Sequence, residues 1–179
     1  MSIGESDFLA TFGQRNDEIL TKWLGETATP ARIRGIGDTK EVVYRDLIQA
    51  AGLDPLPGAA DWVRRLHDAG WLQAIASSAP RLNVEVMRTV LGFDSLIETW
   101  VGAEDVSAGK PDPEVFLTAA GRLSVPPERC IVVEDAAAGI EAARRAGMRS
   151  IGVAEGAKAA DIVVRSLTEL SPDAFDSLL

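Results

Sequence analysis

From Pro57 onward the chain alternates helical stretches with short apolar runs, and that alternation constrains the fold more than any other feature. The spacing predicts helices over 59–70, 81–91, 112–123 and 136–147. Between and after them lie strands over 71–77, 96–102, 130–135, 149–154 and 160–164, with a closing helix over 172–179. Short apolar runs without polar alternation suit strands buried on both faces. Strands separated by helices of 10 to 15 residues imply a parallel sheet covered on both sides. In such sheets ligands gather at the carboxyl ends of the strands.

The preceding residues have a different texture. Phe8, Leu9, Phe12, Ile19, Leu20, Trp23 and Leu24 form one helical stripe broken at Gly13. A second helix is expected over 39–52, with Thr39 as its cap and Gly52 as its stop. A turn-rich break follows at Leu53–Gly58. The domain reading is a helical part over 1–56 and a Rossmann-like α/β core over 57–179.

Composition narrows the function classes. The chain has 179 residues, a net charge of −9 and 46% hydrophobic residues. That is enough apolar material for a core, and too acidic a surface to wrap nucleic acid. No run reaches the roughly 18 apolar residues of a membrane span, and no basic-then-apolar leader opens the chain. A cytoplasmic location is therefore expected. Cys130 is the single cysteine and His67 the single histidine. A disulfide within the chain and a thiolate metal cluster are excluded, and Cys130 is read as a buried, inert thiol. His67 reads as structural or solvent-facing.

Chemistry-bearing residues recur at the strand ends. Ser77 and Ser78 follow the first strand, Lys110 follows the second in AEDVSAGKPDP, and Glu134 and Asp135 end the third. Adjacent carboxylates suit a hard cation such as magnesium. A lysine and a serine hydroxyl beside it suit phosphoryl oxygens. Two other phosphate motifs fail. Ala108-Gly109-Lys110 lacks the earlier glycine of a P-loop and continues into Pro111; Gly35-Ile36-Gly37 follows no strand and reads as a loop.

Taken together, the stretches 55–83, 101–120 and 131–153 resemble the haloacid dehalogenase superfamily. The texture is similar to its beta-phosphoglucomutase-like phosphatase branch, whose members carry a helical cap inserted early in the chain. The resemblance runs from Phe8 to Leu170. It implies that Ser77 hydrogen-bonds the transferring phosphoryl group and that Ser78 offers its backbone N–H. It implies that Lys110 bridges phosphoryl group and nucleophile, and that Asp135 with Glu134 holds magnesium. Arg15 is similar to a cap arginine that grips a substrate's second phosphate. The helices over 1–56 would be a partial cap.

One departure matters. The family opens with a buried central strand ending in D-x-D-G, which supplies the nucleophile and the general acid/base. Here Asp54 sits in a turn, and Asp173 and Asp176 sit in the expected last helix with the wrong spacing. The missing strand would lie between those around Ala74–Ala76 and Ile131–Val133, leaving a gap of about 10 Å at ~4.8 Å per strand. The sheet must close up, be filled by another segment or chain, or belong to a longer protein; the intact downstream motifs favour the last. An open sheet centre also favours association, so a homo-oligomer is a candidate state. The resulting expectation is a magnesium-dependent phosphatase or sugar-phosphate mutase lacking the nucleophile half of its site, with weakly held metal and little turnover. Two alternatives stand beside it. One is an inactive relative that binds a ligand or partner; the other is a 2-haloacid dehalogenase, against which the Glu134-Asp135 pair argues.

Overall fold

The computed structural model describes residues 4, 6, 7 and 10–179; Phe8 and Leu9 of the first apolar stripe lie outside these. Two helices open the described chain. Helix α1 spans Asn16–Leu24, with Asp17 and Glu18 in its first turn, where acidic side chains complement the helix dipole. Helix α2 spans Pro30–Ala51. Its start is not Thr39: Thr29 caps it by accepting the Arg32 N–H, and Pro30 takes the first helical position. Gly35 and Gly37 therefore lie inside a 22-residue helix and not in a loop. Gly37 is buried where α1 crosses, with Leu20 close against it.

Helix α2 docks on the α/β body through polar groups. Glu41 is buried and accepts from Asn16 on α1 and Asn83 on the body, with Lys40 Nζ 2.6 Å away. Arg45 Nη1 in turn donates to Asn83 Oδ1 at 2.7 Å. Burial raises the Glu41 carboxyl pKa, but the Lys40, Asn16 and Asn83 donors outweigh it and leave the pKa below its usual value.

The body follows the expected alternation. In chain order come α3 (Ala59–Asp68), β1 (Ala74–Ala76), α4 (Arg81–Val90), β2 (Thr99–Val101), α5 (Glu114–Leu123), β3 (Ile131–Glu134), α6 (Ala137–Ala146), β4 (Arg149–Val153) and β5 (Ile162–Val164). Gly147, at φ +73°, ends α6 in the left-handed conformation that glycine adopts without strain. All the strand pairs are parallel. The expected closing helix is absent: the chain turns through 172–175 into one short 3₁₀ turn, Asp176–Leu178. Ala174 and Phe175 are nevertheless buried, with Trp62 and Trp71 packed on the Phe175 ring. Four residues in a turn bury these two side chains without the nucleation cost of a short helix.

The sheet is divided. One piece has the order β1-β2, the other β3-β4-β5, and β1 does not pair with β3. Burial reflects the division. Strand β4, paired on both sides, buries four of its five residues, whereas β1 buries none fully and Val133 on β3 is 41% exposed. Helix α5 packs on β1 and β2, α6 packs on β3 and β4, and the two helices pack on each other. Their shared core includes Val101, Phe116, Val132 and Ala143. The two pieces are thus joined through helices and not through a backbone ladder. Among the described residues, no helix is long and apolar enough to cross a membrane.

Candidate active site

Ser77 leaves β1 with its N–H still on the β2 ladder, donating to Val101 O at 3.0 Å. Its Oγ accepts the Ala79 N–H at 3.1 Å, a tight local turn that leaves the hydroxyl proton free to donate outward. Ser78 Oγ donates to Gly13 O at 2.8 Å, tying the turn to the segment that leads into α1.

Lys110 sits beneath this turn. It is 4% exposed, and its Nζ donates to Ala76 O at 3.2 Å and to Glu134 Oε2 at 3.0 Å. The same ammonium lies 4.8 Å from the centre of the Phe116 ring, a cation–π distance. Lys110, Glu134 and the end of β1 therefore meet at one place, and Ser77 is next in chain to the carbonyl Lys110 holds. Burial pushes the Glu134 carboxyl pKa up, and Lys110 only partly reverses that. Glu134 is pressed against the first turn of α6, where a side chain at Gly139 would collide with its carboxyl group. Only glycine leaves room there.

The loop carrying Lys110 is held by residues that the sequence did not single out. Glu114 Oε2 accepts the N–H groups of Ser107 and Ala108 at 2.8 and 3.0 Å. Asp105 is clamped by Arg81 and by Arg122, whose Nη2 lies at 2.7 Å, and accepts the Gly102 N–H. Those donors, Arg122 foremost, hold the Asp105 pKa far below the usual carboxylate range. The signal for Glu114 was its place in the first turn behind a Pro-rich loop. The role of Asp105 was not readable locally, because its two arginine partners lie 17 and 24 residues away.

Arg15 reaches the same loop. Its Nη1 donates to Ala103 O and Val106 O, both at 3.1 Å, and its stem lies against Gly109. It braces the Lys110 loop, with Asp17 on its Nε at 3.2 Å. Cys130 is only partly buried, packed against the shared core with its Sγ 3.5 Å from Pro126 O. His67 is half-buried in α3, well away in chain from these groups.

The donor set does not fit a magnesium ion by itself. Glu134 is committed to Lys110, and among the described residues no three acidic, histidine or cysteine side chains are placed to hold a metal. Magnesium gives up its waters reluctantly and needs near-octahedral oxygen ligands. Asp135 is the carboxylate that remains at the end of β3.

Comparison with known proteins gives the family and the fold. Residues 2–147 match the haloacid dehalogenase-like hydrolases. The chain belongs to that family. It is 33% identical over 170 residues to validoxylamine A 7'-phosphate phosphatase of Streptomyces hygroscopicus subsp. limoneus, covering 87% of this chain and 80% of the relative. The structure superposes on a beta-phosphoglucomutase from Clostridium difficile with a TM-score of 0.90 at 26% identity, covering 99% of this chain and 82% of that one. It also superposes on CbbY from Rhodobacter sphaeroides, solved with xylulose-(1,5)bisphosphate, with a TM-score of 0.83 at 27% identity over 93% of this chain and 79% of that one. The α/β fold with parallel strands is that of the beta-phosphoglucomutase-like members.

Proposed function

We propose that this chain carries the phosphoryl-binding part of an enzyme acting on small phosphorylated metabolites, as a phosphatase or a sugar-phosphate mutase. The observation that carries the reading is the buried Lys110 ammonium at the end of β1, held on the carbonyl of Ala76, the residue before Ser77. A phosphoryl group at that edge would take the Ser77 O–H and the Ser78 N–H as donors. Lys110 would neutralise its charge where little water screens it. Arg15 holds the Lys110 loop in place, and its remaining N–H donors are the proposed contact for a second anionic group on the substrate. Helices α1 and α2 are proposed as part of a cap over the strand ends. Magnesium is proposed as a partner of Asp135, with further ligands supplied from outside the described residues.

A second reading is binding without turnover. It is supported by the ion pairing of Lys110: among the described residues the one carboxylate within its reach is Glu134, which is itself held by that lysine. Covalent phosphoryl transfer needs an attacking carboxylate. Phosphorus NMR titration with inorganic phosphate and a sugar phosphate tests the binding. A charge-assisted hydrogen bond is worth roughly 1.5–3 kcal/mol, so Ser77→Ala should weaken binding about 10- to 100-fold. Unchanged affinity in Ser77→Ala and in Lys110→Arg would refute the site. Turnover of an aryl phosphate then separates the readings: a rate no higher than that of Ser77→Ala favours binding alone.

A further inference from the structure

Two loops leave the β1-β2 piece of the sheet, and they are joined along one seam. After β1 the chain runs through the Ser77 turn into Arg81, the first residue of α4; after β2 it runs through 102–106 toward Lys110. Across the seam the Ala103 N–H donates to Ala79 O at 2.9 Å, and the Arg81 N–H donates to Glu104 Oε2 at 2.7 Å. Gly102 lies so close on the Arg81 backbone that a side chain there would collide with it. Asp105 closes the seam. Its side chain, 7% exposed, takes the Arg81 guanidinium from one loop, Arg122 Nη2 at 2.7 Å from the end of α5, and the Gly102 N–H at 2.9 Å. Arg122 also donates to Trp100 O on β2. Arg15 reaches in from the helical part and holds the carbonyls of Ala103 and Val106, which flank Asp105 in the chain.

We propose that Asp105 is a positioning residue of the phosphoryl site: through Arg81 and Arg122 it sets the Lys110 loop against the Ser77 turn, so that the lysine and the turn face one anion. This role rests on the phosphoryl reading, whereas the seam itself can be measured without phosphate. The donor set demands a carboxylate. Arg81 Nη2, both Nη atoms of Arg122 and the Gly102 N–H all point at Asp105, and an ionised carboxyl group has lone pairs for all four. An asparagine would offer one oxygen and turn its own N–H groups toward a guanidinium. The leverage lies in Lys110. Its ammonium is bonded to Ala76 O, next to Ser77, while its backbone belongs to the loop that Asp105 anchors. Sliding along the seam therefore moves the ammonium against the serine turn, and a charged donor displaced from an anion loses much of its attraction. A clamp that served stability alone has no need of this place. Asp161 is such a clamp: it accepts from Arg149 and from the Ser150 N–H, both at 2.8 Å, at the amino end of β4, the opposite end from the site.

The test uses the whole chain, with inorganic phosphate as the probe. Asp105→Asn, Arg81→Ala and the double variant are compared with the parent, and Asp161→Asn serves as a clamp of the same kind outside the site. Hydrogen exchange at the Ala103 and Arg81 amides reads the seam, and phosphorus NMR titration reads the affinity. Asp105→Asn should speed exchange at those two amides about tenfold more than at the amides of β4, and weaken phosphate binding about tenfold. Asp161→Asn should lower the urea midpoint yet leave the affinity within about twofold of the parent. Arg81→Ala should weaken binding by itself and add nothing to Asp105→Asn, because the two act through one tie. If Asp105→Asn fails to fold, Arg81→Ala carries both readouts, its side chain being 49% exposed. Unchanged exchange at the seam overturns the proposal, and so does an equal loss of affinity in Asp161→Asn. An Arg81→Ala loss that persists beside Asp105→Asn assigns Arg81 to the anion itself and also overturns it. A loosened seam with parental affinity overturns it while leaving the phosphoryl reading intact. A parent that binds no phosphate refutes the phosphoryl reading, and the role of Asp105 falls with it.

Discussion

Replacing Lys110 by methionine should destabilise the protein by an amount that grows with pH. The Lys110 and Glu134 side chains are 5% and 11% exposed, with 3.0 Å between Nζ and Oε2. At an effective dielectric constant near 20, the gross attraction at that distance is on the order of 5 kcal/mol, much of it offset by desolvation. Removing one partner of a buried pair costs about 3–5 kcal/mol when the other stays charged. Glu134 has an escape, because burial has already raised its pKa above the usual 4.5. Without Lys110 that pKa rises further, and the folded state takes up a proton which the unfolded state releases. A raised carboxylate pKa means that stability falls as pH rises from about 4.5 toward the folded value. The slope is at most ~1.4 kcal/mol per pH unit for one proton.

The Lys110→Met cost should thus be about 1 kcal/mol near pH 5, chiefly the lost hydrogen bond to Ala76 O, and about 3 kcal/mol near pH 8. At ~2–4 °C per kcal/mol for a chain of this length, the Tm loss at high pH is roughly 6–12 °C. Urea denaturation followed by tryptophan fluorescence between pH 5 and 8 measures it. The double variant Lys110→Met/Glu134→Gln should recover most of the loss and flatten its pH dependence. A cost that is the same at pH 5 and pH 8, or a double variant as unstable as the two single losses added, refutes the reasoning.

Gly139→Ala should cost about 1–3 kcal/mol by displacing the Glu134 carboxyl group, and Lys110→Met should cost less in that background than alone. Asn83→Leu should cost about 1–3 kcal/mol, because it strips donors and acceptors from buried Glu41 and from Arg45; urea denaturation reads it. The Glu41 and Asp105 pKa values are both lowered, so their stabilisation is present above about 4.5 and 3.8 and is lost as pH falls below those values. Acid titration by circular dichroism should show Asp105→Asn unfolding at a higher pH, and with a shallower transition, than the parent. Calorimetric titration with magnesium should give weak, unsaturated heats; tight stoichiometric binding lost in Asp135→Ala would show a complete site in this chain.

What was legible in the sequence was whatever local chemistry decides. The period switch after Pro57 located the five strands of the described residues, because apolar runs between helices have few other homes in a parallel α/β chain. Glycine misled where tertiary packing overrode propensity. Gly35 and Gly37 suggested a loop, yet α2 runs through them, with Pro30 and Thr29 setting its start and Gly37 packing beneath α1. The last eight residues suggested a helix, yet Phe175 finds its place between Trp62 and Trp71 from a turn. At the site, strand ends brought Lys110 and Glu134 together as their positions implied. Their pairing at 3.0 Å was not readable, since adjacency in sequence linked Glu134 to Asp135 and only the fold links it to Lys110. Arg15 is the same case: its two carbonyl partners lie 88 and 91 residues away.

The helices hold the two pieces of the sheet in place. Strands β1 and β3 could satisfy each other's edges only by approaching to ~4.8 Å, and unpaired buried backbone groups favour that approach. Helices α5 and α6 oppose it. Each packs on its own piece of sheet, and they meet in a core where Ala142 and Ala143 are fully buried. Closing the gap between β1 and β3 would cost contacts in that core, because close-packed interiors do not yield by several ångströms without losing them. The Lys110 ammonium on Ala76 O is a smaller compensation that leaves the helices where they are. The helix layer therefore fixes the spacing of the strand ends, and with it the distance between the Ser77 turn and Asp135, whether or not a strand stands between them.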